Sequence, residues 1–235
     1  MTLLAILVLG FFLGMRHATD ADHVVAVSTM VSRERRPKAA LLMGALWGIG
    51  HSLTILVVGG AIILFGLVVP PRLGLSMEMS VAVMLIVLGA MNLSGTLGHM
   101  SDLAKDKSQA IAQEEPLRAS SMRTPGWLIR PLVVGIVHGL AGSAGIALLV
   151  LATIRAAGWA MLYLALFGLG TVVGMMTLTM AMSLPVVLAP QRFTPNERLL
   201  AKVTGIASVT FGLFLAYRVG FVDGLFLSVP SLEPK

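Results

Sequence analysis

Six stretches of this chain are too apolar for a water-soluble fold to hide, running approximately from 2 to 31, 39 to 69, 77 to 97, 127 to 154, 157 to 189 and 201 to 222. About 20 apolar residues in a helix cross roughly 30 Å of hydrocarbon. None of the stretches alternates with the period of two that a membrane β-barrel requires. Charged residues make up only 12% of the 235, about half the share of an ordinary soluble domain. The pattern predicts an all-α integral membrane protein with six transmembrane helices. At about 1.5 Å per residue the first stretch would reach roughly 45 Å if straight, so it is expected to be kinked or broken where its polar residues fall. The run from Thr2 to Met15 follows no basic segment and meets no small-residue cleavage site, so it is expected to stay in the mature protein.

Six crossings place the loops on alternate sides of the bilayer. Arg33, Arg35, Arg36 and Lys38 fall on one side, with Lys105, Lys107, Arg118, Arg123 and Arg130, and with Arg192, Arg198 and Lys202. Only Arg72, Arg155 and Lys235 fall on the other. The positive-inside rule then puts the basic loops in the cytoplasm and both termini outside, in a cell (inner) membrane. The net charge of +6 therefore records topology. Nucleic acid is excluded as a partner, because no segment is long enough to form a basic soluble module.

Residues 101–125 mix both signs of charge with little apolar content and read as a cytoplasmic connection. They divide the chain into units 1–100 and 126–235, each with three expected helices. The units look related. Gly14 and His17 match Gly135 and His138 at a spacing of 121; Leu42, Ala45, Leu46, Gly48 and Gly50 match Leu162, Ala165, Leu166, Gly168 and Gly170 at 120. Trp47 falls opposite Phe167 in that register, and Gly89 matches Gly212 at 123. A repeat of three crossings inserts with opposite orientation in its second copy, giving two inverted three-helix repeats of the kind that build a transporter's midplane site.

Arg16, His17, Asp20, Asp22 and His23 put five ionisable side chains inside the first apolar stretch. Each Asp near a helix centre costs about 2.5–3.5 kcal/mol on insertion scales, so two cost roughly 5–7. Hydrophobic design would not choose them; they are expected to face the bundle interior or a water-filled cavity. Arg16 and Asp20, four apart, could form a structural ion pair, but that pair cannot absorb Asp22, His17 and His23. On a regular helix His17, Asp20 and His23 fan across about 120°, and Asp22 sits about 140° from His17. Either the helix unwinds here or Asp22 and His17 serve neighbouring steps of one pathway.

His51, in Gly50-His51-Ser52, lies thirteen residues from Lys38, and His23 ten from Arg33. Both are thus about 15–20 Å from the cytoplasmic anchors, and a shared site is feasible; the alternative is a histidine bonded to a backbone carbonyl. Cysteine is absent, so no thiolate is available. Imidazoles with carboxylate suit nickel, cobalt, copper(II) or zinc, whereas magnesium and calcium prefer all-oxygen cages. The candidate metal residues are His17, Asp20, Asp22, His23, His51 and His138, the last as the second-half counterpart of His17. His99 reads as a solvated interface residue, and Met175, Met176, Met180 and Met182 as packing.

His17-x4-Asp22-His23 in one span followed by Gly50-His51-Ser52 in the next resembles the signature of the nickel/cobalt transporter family (NiCoT or NicO type). The resemblance covers mainly residues 10–60 and reads the chain as a divergent short member. It implies secondary transport of Ni2+ or Co2+, with His17, Asp22 and His23 in the metal pathway and His51 assisting. Better-known members carry an Asp and a Glu in the helix corresponding to Val133–Ile146, where this chain has His138 and Ser143 and no carboxylate. The expectation is therefore alternating-access transport, with the metal as cargo, no resident cofactor and no enzymatic turnover. No Gly-x4-Gly-Lys-Ser/Thr nucleotide loop occurs. The alternatives are a proton-coupled exporter of a small organic or sulfur compound, whose Asp20, Asp22 and histidines relay protons, and a metal-dependent membrane enzyme.

Overall fold

The break expected in the first stretch is where the fold departs most from straight helices. The computed structural model describes residues 3–95 except 33, 35 and 68, residues 126–140, 154, 156–188 and 194–227. The connection 101–125, His99, Ser143 and the far part of the fourth apolar stretch lie outside the described residues. Seven α-helices occur among those described: α1 (Leu3–His17), α2 (Ala21–Val31), α3 (Pro37–Phe65), α4 (Pro71–Leu93), α5 (Gly126–Leu140), α6 (Ala157–Leu188) and α7 (Thr194–Tyr217). α7 runs into a π-helical turn, Arg218–Val222.

α1 and α2 are bent by 53° across the break between them and together make one candidate span. α3, α4, α6 and α7 are each long and apolar enough to cross a bilayer, giving four candidates, or five with the bent pair. α5 is a shorter apolar helix over its described length. Several large side chains point away from the bundle, among them Leu53, Val57 and Phe65 on α3 and Ile206, Leu213 and Phe214 on α7. A water-facing surface would leave this apolar shell unsatisfied, whereas hydrocarbon solvates it. The chain is a multi-pass membrane protein.

Helix starts follow backbone chemistry more closely than hydropathy. α3 and α4 both open on a proline, Pro37 and Pro71, whose missing N–H would be unpaired there anyway. α4 thus begins at 71 rather than at the expected 77. Its first residues, Pro71, Arg72 and Leu73, are exposed, and Arg72 and Gly74 interrupt the apolar run. α3 stops at Gly66, whose φ of +61° is the left-handed conformation glycine adopts without a Cβ penalty.

α3 packs along both α6 and α5, α1 packs on α6, and α4 on α7. These contacts rest on close backbone approach. A Cβ on Gly14 would strike the Phe167 carbonyl oxygen and the Thr171 nitrogen; one on Gly135 would strike the Trp47 oxygen and the His51 nitrogen. Phe167 and Thr171 lie 120 residues after Trp47 and His51, so α1 sits on α6 as α5 sits on α3. Likewise a Cβ on Gly89 meets the Gly205 oxygen and Val209 nitrogen, and one on Gly212 meets the Ala82 oxygen and Ile86 nitrogen. Polar side chains pin the same seams. Ser52 Oγ donates to the Gly168 carbonyl at 2.8 Å, Ser208 Oγ to that of Leu85 at 2.8 Å, and Asn92 Nδ2 to that of Ala201 at 3.0 Å. In a bilayer such small-residue contacts and interhelical hydrogen bonds replace the hydrophobic effect as the source of helix association.

Candidate metal centre

α1 ends on His17, and the next three residues turn the chain. The Thr19 N–H donates to the Arg16 carbonyl at 2.9 Å and the Asp20 N–H to that of His17 at 3.1 Å. Asp20 is the N-cap of α2, extended at φ −61° and ψ 149°, but its side chain makes no capping bond. The carboxylate turns back instead and takes His17 Nδ1 at 2.8 Å. Arg16 is exposed, and no Arg16–Asp20 pair occurs among the described residues, so Asp20 is committed to the histidine.

The break removes the angular obstacle of a straight helix. His17 and His23 would point about 120° apart on a continuous helix; here their rings meet edge to face with centroids 4.8 Å apart. α3 brings His51, whose Nε2 lies 3.0 Å from His17 Nε2. α5 brings His138 in its last turn, with Nε2 2.8 Å from Asp22 Oδ2. Asp22 Oδ1 also faces His23 Nδ1 at 3.1 Å and accepts the His23 backbone N–H at 3.0 Å. All six residues singled out from sequence therefore fall in two hydrogen-bonded groups, His17–Asp20–His51 and Asp22–His23–His138, that meet through the ring contacts of His23 with His17 and His51 at 4.8 and 5.1 Å.

Across these groups, two triplets each offer one ligand atom per residue, all within 4.8 Å: His17, His23 and His51, and Asp22, His23 and His138. His23, His51 and His138 are fully buried and His17 nearly so. The Asp22 side chain is 15% exposed and that of Asp20 40%, which makes Asp20 the wet end of the network. Three buried ring nitrogens, His23 Nε2, His51 Nδ1 and His138 Nδ1, have no hydrogen-bond partner among the described residues. Leaving such a group unpaired costs about 1–3 kcal/mol, and a cation bound at one of them would relieve that cost there. Imidazole and carboxylate in this number can take a borderline transition metal.

A known protein is similar to this chain along nearly its whole length. The urease accessory protein UreH of Bacillus sp. (strain TB-90) is 34% identical over 224 residues, covering 95% of this chain and 96% of its own. The chain belongs to the UreH family. No family profile matches it, and no solved structure does. The UreH likeness spans both halves, so it takes in α5 to α7 as well as the motif-bearing α1 to α3.

Two aromatic residues of this UreH-family chain complete the centre and were not singled out as site residues from sequence. The Trp47 ring lies 6.3 Å from that of His23, stacked, and 5.7 Å from that of His138. Phe167 lies 5.5 Å from His17. Both are buried, and they wall the imidazoles with apolar surface. The signal that could have found them was present: Trp47 and Phe167 face each other in the repeat register, and Trp47 precedes His51 by one helical turn.

Proposed function

We propose that this protein carries a divalent transition metal ion, nickel first and cobalt second, across the cell (inner) membrane. The observation that carries this reading is the cluster of four buried imidazoles with two carboxylates at a helix break. Intramembrane ionisable groups in that number are costly and are retained where an ion passes. The naming of its relative as a urease accessory protein points to nickel-related transport rather than to catalysis. The metal is cargo, and no resident cofactor is required.

The transport is secondary and runs by alternating access. Six crossings form two inverted three-helix repeats, 1–100 and 126–235, joined by the cytoplasmic connection 101–125, with both termini outside. Supporting this are the paired glycine contacts at Gly14 and Gly135 and at Gly89 and Gly212, and the basic bias of the loops. The cluster lies between α1–α3 of one repeat and α5 of the other, so rocking one half against the other opens it to either side.

The test is uptake of Ni2+ and Co2+ into proteoliposomes carrying the purified protein, beside His23→Ala at matched reconstitution. Flux in the parent that vanishes in the variant supports the reading. No flux of either metal through intact protein overturns it in favour of an organic-substrate exporter or a membrane enzyme.

A further inference from the structure

The hydrogen bonds of the centre fix which ring nitrogens are bare. An ionised carboxylate only accepts, so the atom facing it on each imidazole is an N–H. Asp20 therefore takes the proton-bearing Nδ1 of His17, and Asp22 takes Nδ1 of His23 through one oxygen and Nε2 of His138 through the other. In neutral rings this leaves bare lone pairs on His17 Nε2, His23 Nε2 and His138 Nδ1. His17 Nε2 then accepts from His51 Nε2–H at 3.0 Å, which makes His51 Nδ1 bare as well. It is one of the buried nitrogens without a partner.

On this network, and resting on the metal-cargo reading above, we propose that Asp20, Asp22 and His138 are positioning residues and that the ion is held by Nε2 of His17, His23 and His51. Those three residues form one of the two close triplets. In two of them a carboxylate holds the opposite nitrogen, the arrangement that orients metal-bound histidines and raises their basicity. His138 reaches across from the other half of the chain and holds the second oxygen of Asp22, so that two rings and one backbone N–H occupy three of the carboxylate's roughly four acceptor sites. When the ion enters, the proton on His51 Nε2 relocates to the vacant Nδ1 of the same ring. From neutral rings no proton has to leave the protein, and the three Nε2 lone pairs are then free for the ion. The assignment differs from the motif-based expectation, which places Asp22 among the ligands.

The test is X-ray absorption on Ni2+-loaded protein in detergent, counting imidazoles from their multiple-scattering signature, with the dissociation constant measured alongside. Three imidazoles are expected in the parent. Three remain in Asp20→Ala and His138→Ala, with affinity weakened about 10- to 100-fold as for other supporting residues; two remain in His17→Ala and His51→Ala. His138→Gln, whose amide N–H still donates to Asp22, recovers most of the affinity lost in His138→Ala and controls for misfolding. An imidazole lost from the metal shell in His138→Ala, or a parent shell of four imidazoles, overturns the assignment while leaving metal transport standing. A parent that binds no nickel overturns both.

Discussion

The two halves of the molecule share their packing and differ in their chemistry. Gly14 lies against α6 as Gly135 lies against α3, and Gly89 and Gly212 meet each other's helices through equivalent backbone atoms. At the polar positions the likeness fails. His17 has a counterpart in His138, but His51 is matched 120 residues later by Thr171, and Asp22 and His23 by Ser143 and Ala144. Close helix packing in a bilayer depends on small residues and is indifferent to side-chain chemistry, so both copies keep it. Charge in hydrocarbon is expensive, and one copy carries nearly all of it.

The largest effect should separate His51 from its matched position. His51→Ala is expected to cut nickel uptake into proteoliposomes by about 100-fold or more, since it removes a ligand. Thr171→Ala should change uptake less than about twofold, because the Thr171 hydroxyl only bonds the Phe167 carbonyl within its own helix. Similar losses in both would break the asymmetry. Protons should compete at the imidazoles, because metal binding requires them deprotonated. Nickel affinity measured by equilibrium dialysis should therefore fall on acidification, by up to about tenfold per pH unit for each proton displaced. Affinity that stays unchanged even on acidification far enough to protonate the imidazoles would remove the histidines from the site.

The shared scaffold is checked by Gly14→Ala and Gly135→Ala. Each added methyl meets a backbone carbonyl oxygen, so each should destabilise the folded protein by about 1–3 kcal/mol, read as a lower unfolding midpoint in detergent. Effects differing by more than about 2 kcal/mol would contradict equivalent packing. The smallest effect is expected at the α4–α7 seam. Asn92→Ala loses the bonds to Ala201 and Thr204 and should cost about 0.6–1.7 kcal/mol with nickel uptake intact.

Much of the centre was legible because each signal had a physical cause. Five ionisable groups in an apolar stretch demanded an interior location, and the 3.6-residue period left two alternatives, a break in the helix or neighbouring steps of one pathway, of which the structure has the break. Similar distances from the basic anchors put His51 near the depth of His23. What was not legible depended on rotation about the break. Sequence spacing offered Arg16 to Asp20, yet the turn at Ala18–Asp20 aims that carboxylate at His17. The link from His138 to Asp22 is a contact between halves, which a repeat register suggests for His17 and His138 but does not place. Helix starts at Pro71 and Thr194 were missed because Arg72 and Gly74 interrupt the apolar run at the first and the turn at the second is polar, and only the prolines mark them.

The central claim is that the ion rests within the histidine cluster beside the break. Diffraction from nickel-soaked crystals, collected on both sides of the nickel absorption edge, tests it most directly. The account predicts one anomalous peak within coordination distance of His17, His23 and His51, absent in His23→Ala crystals. A peak found only elsewhere, or retained in His23→Ala, would contradict it.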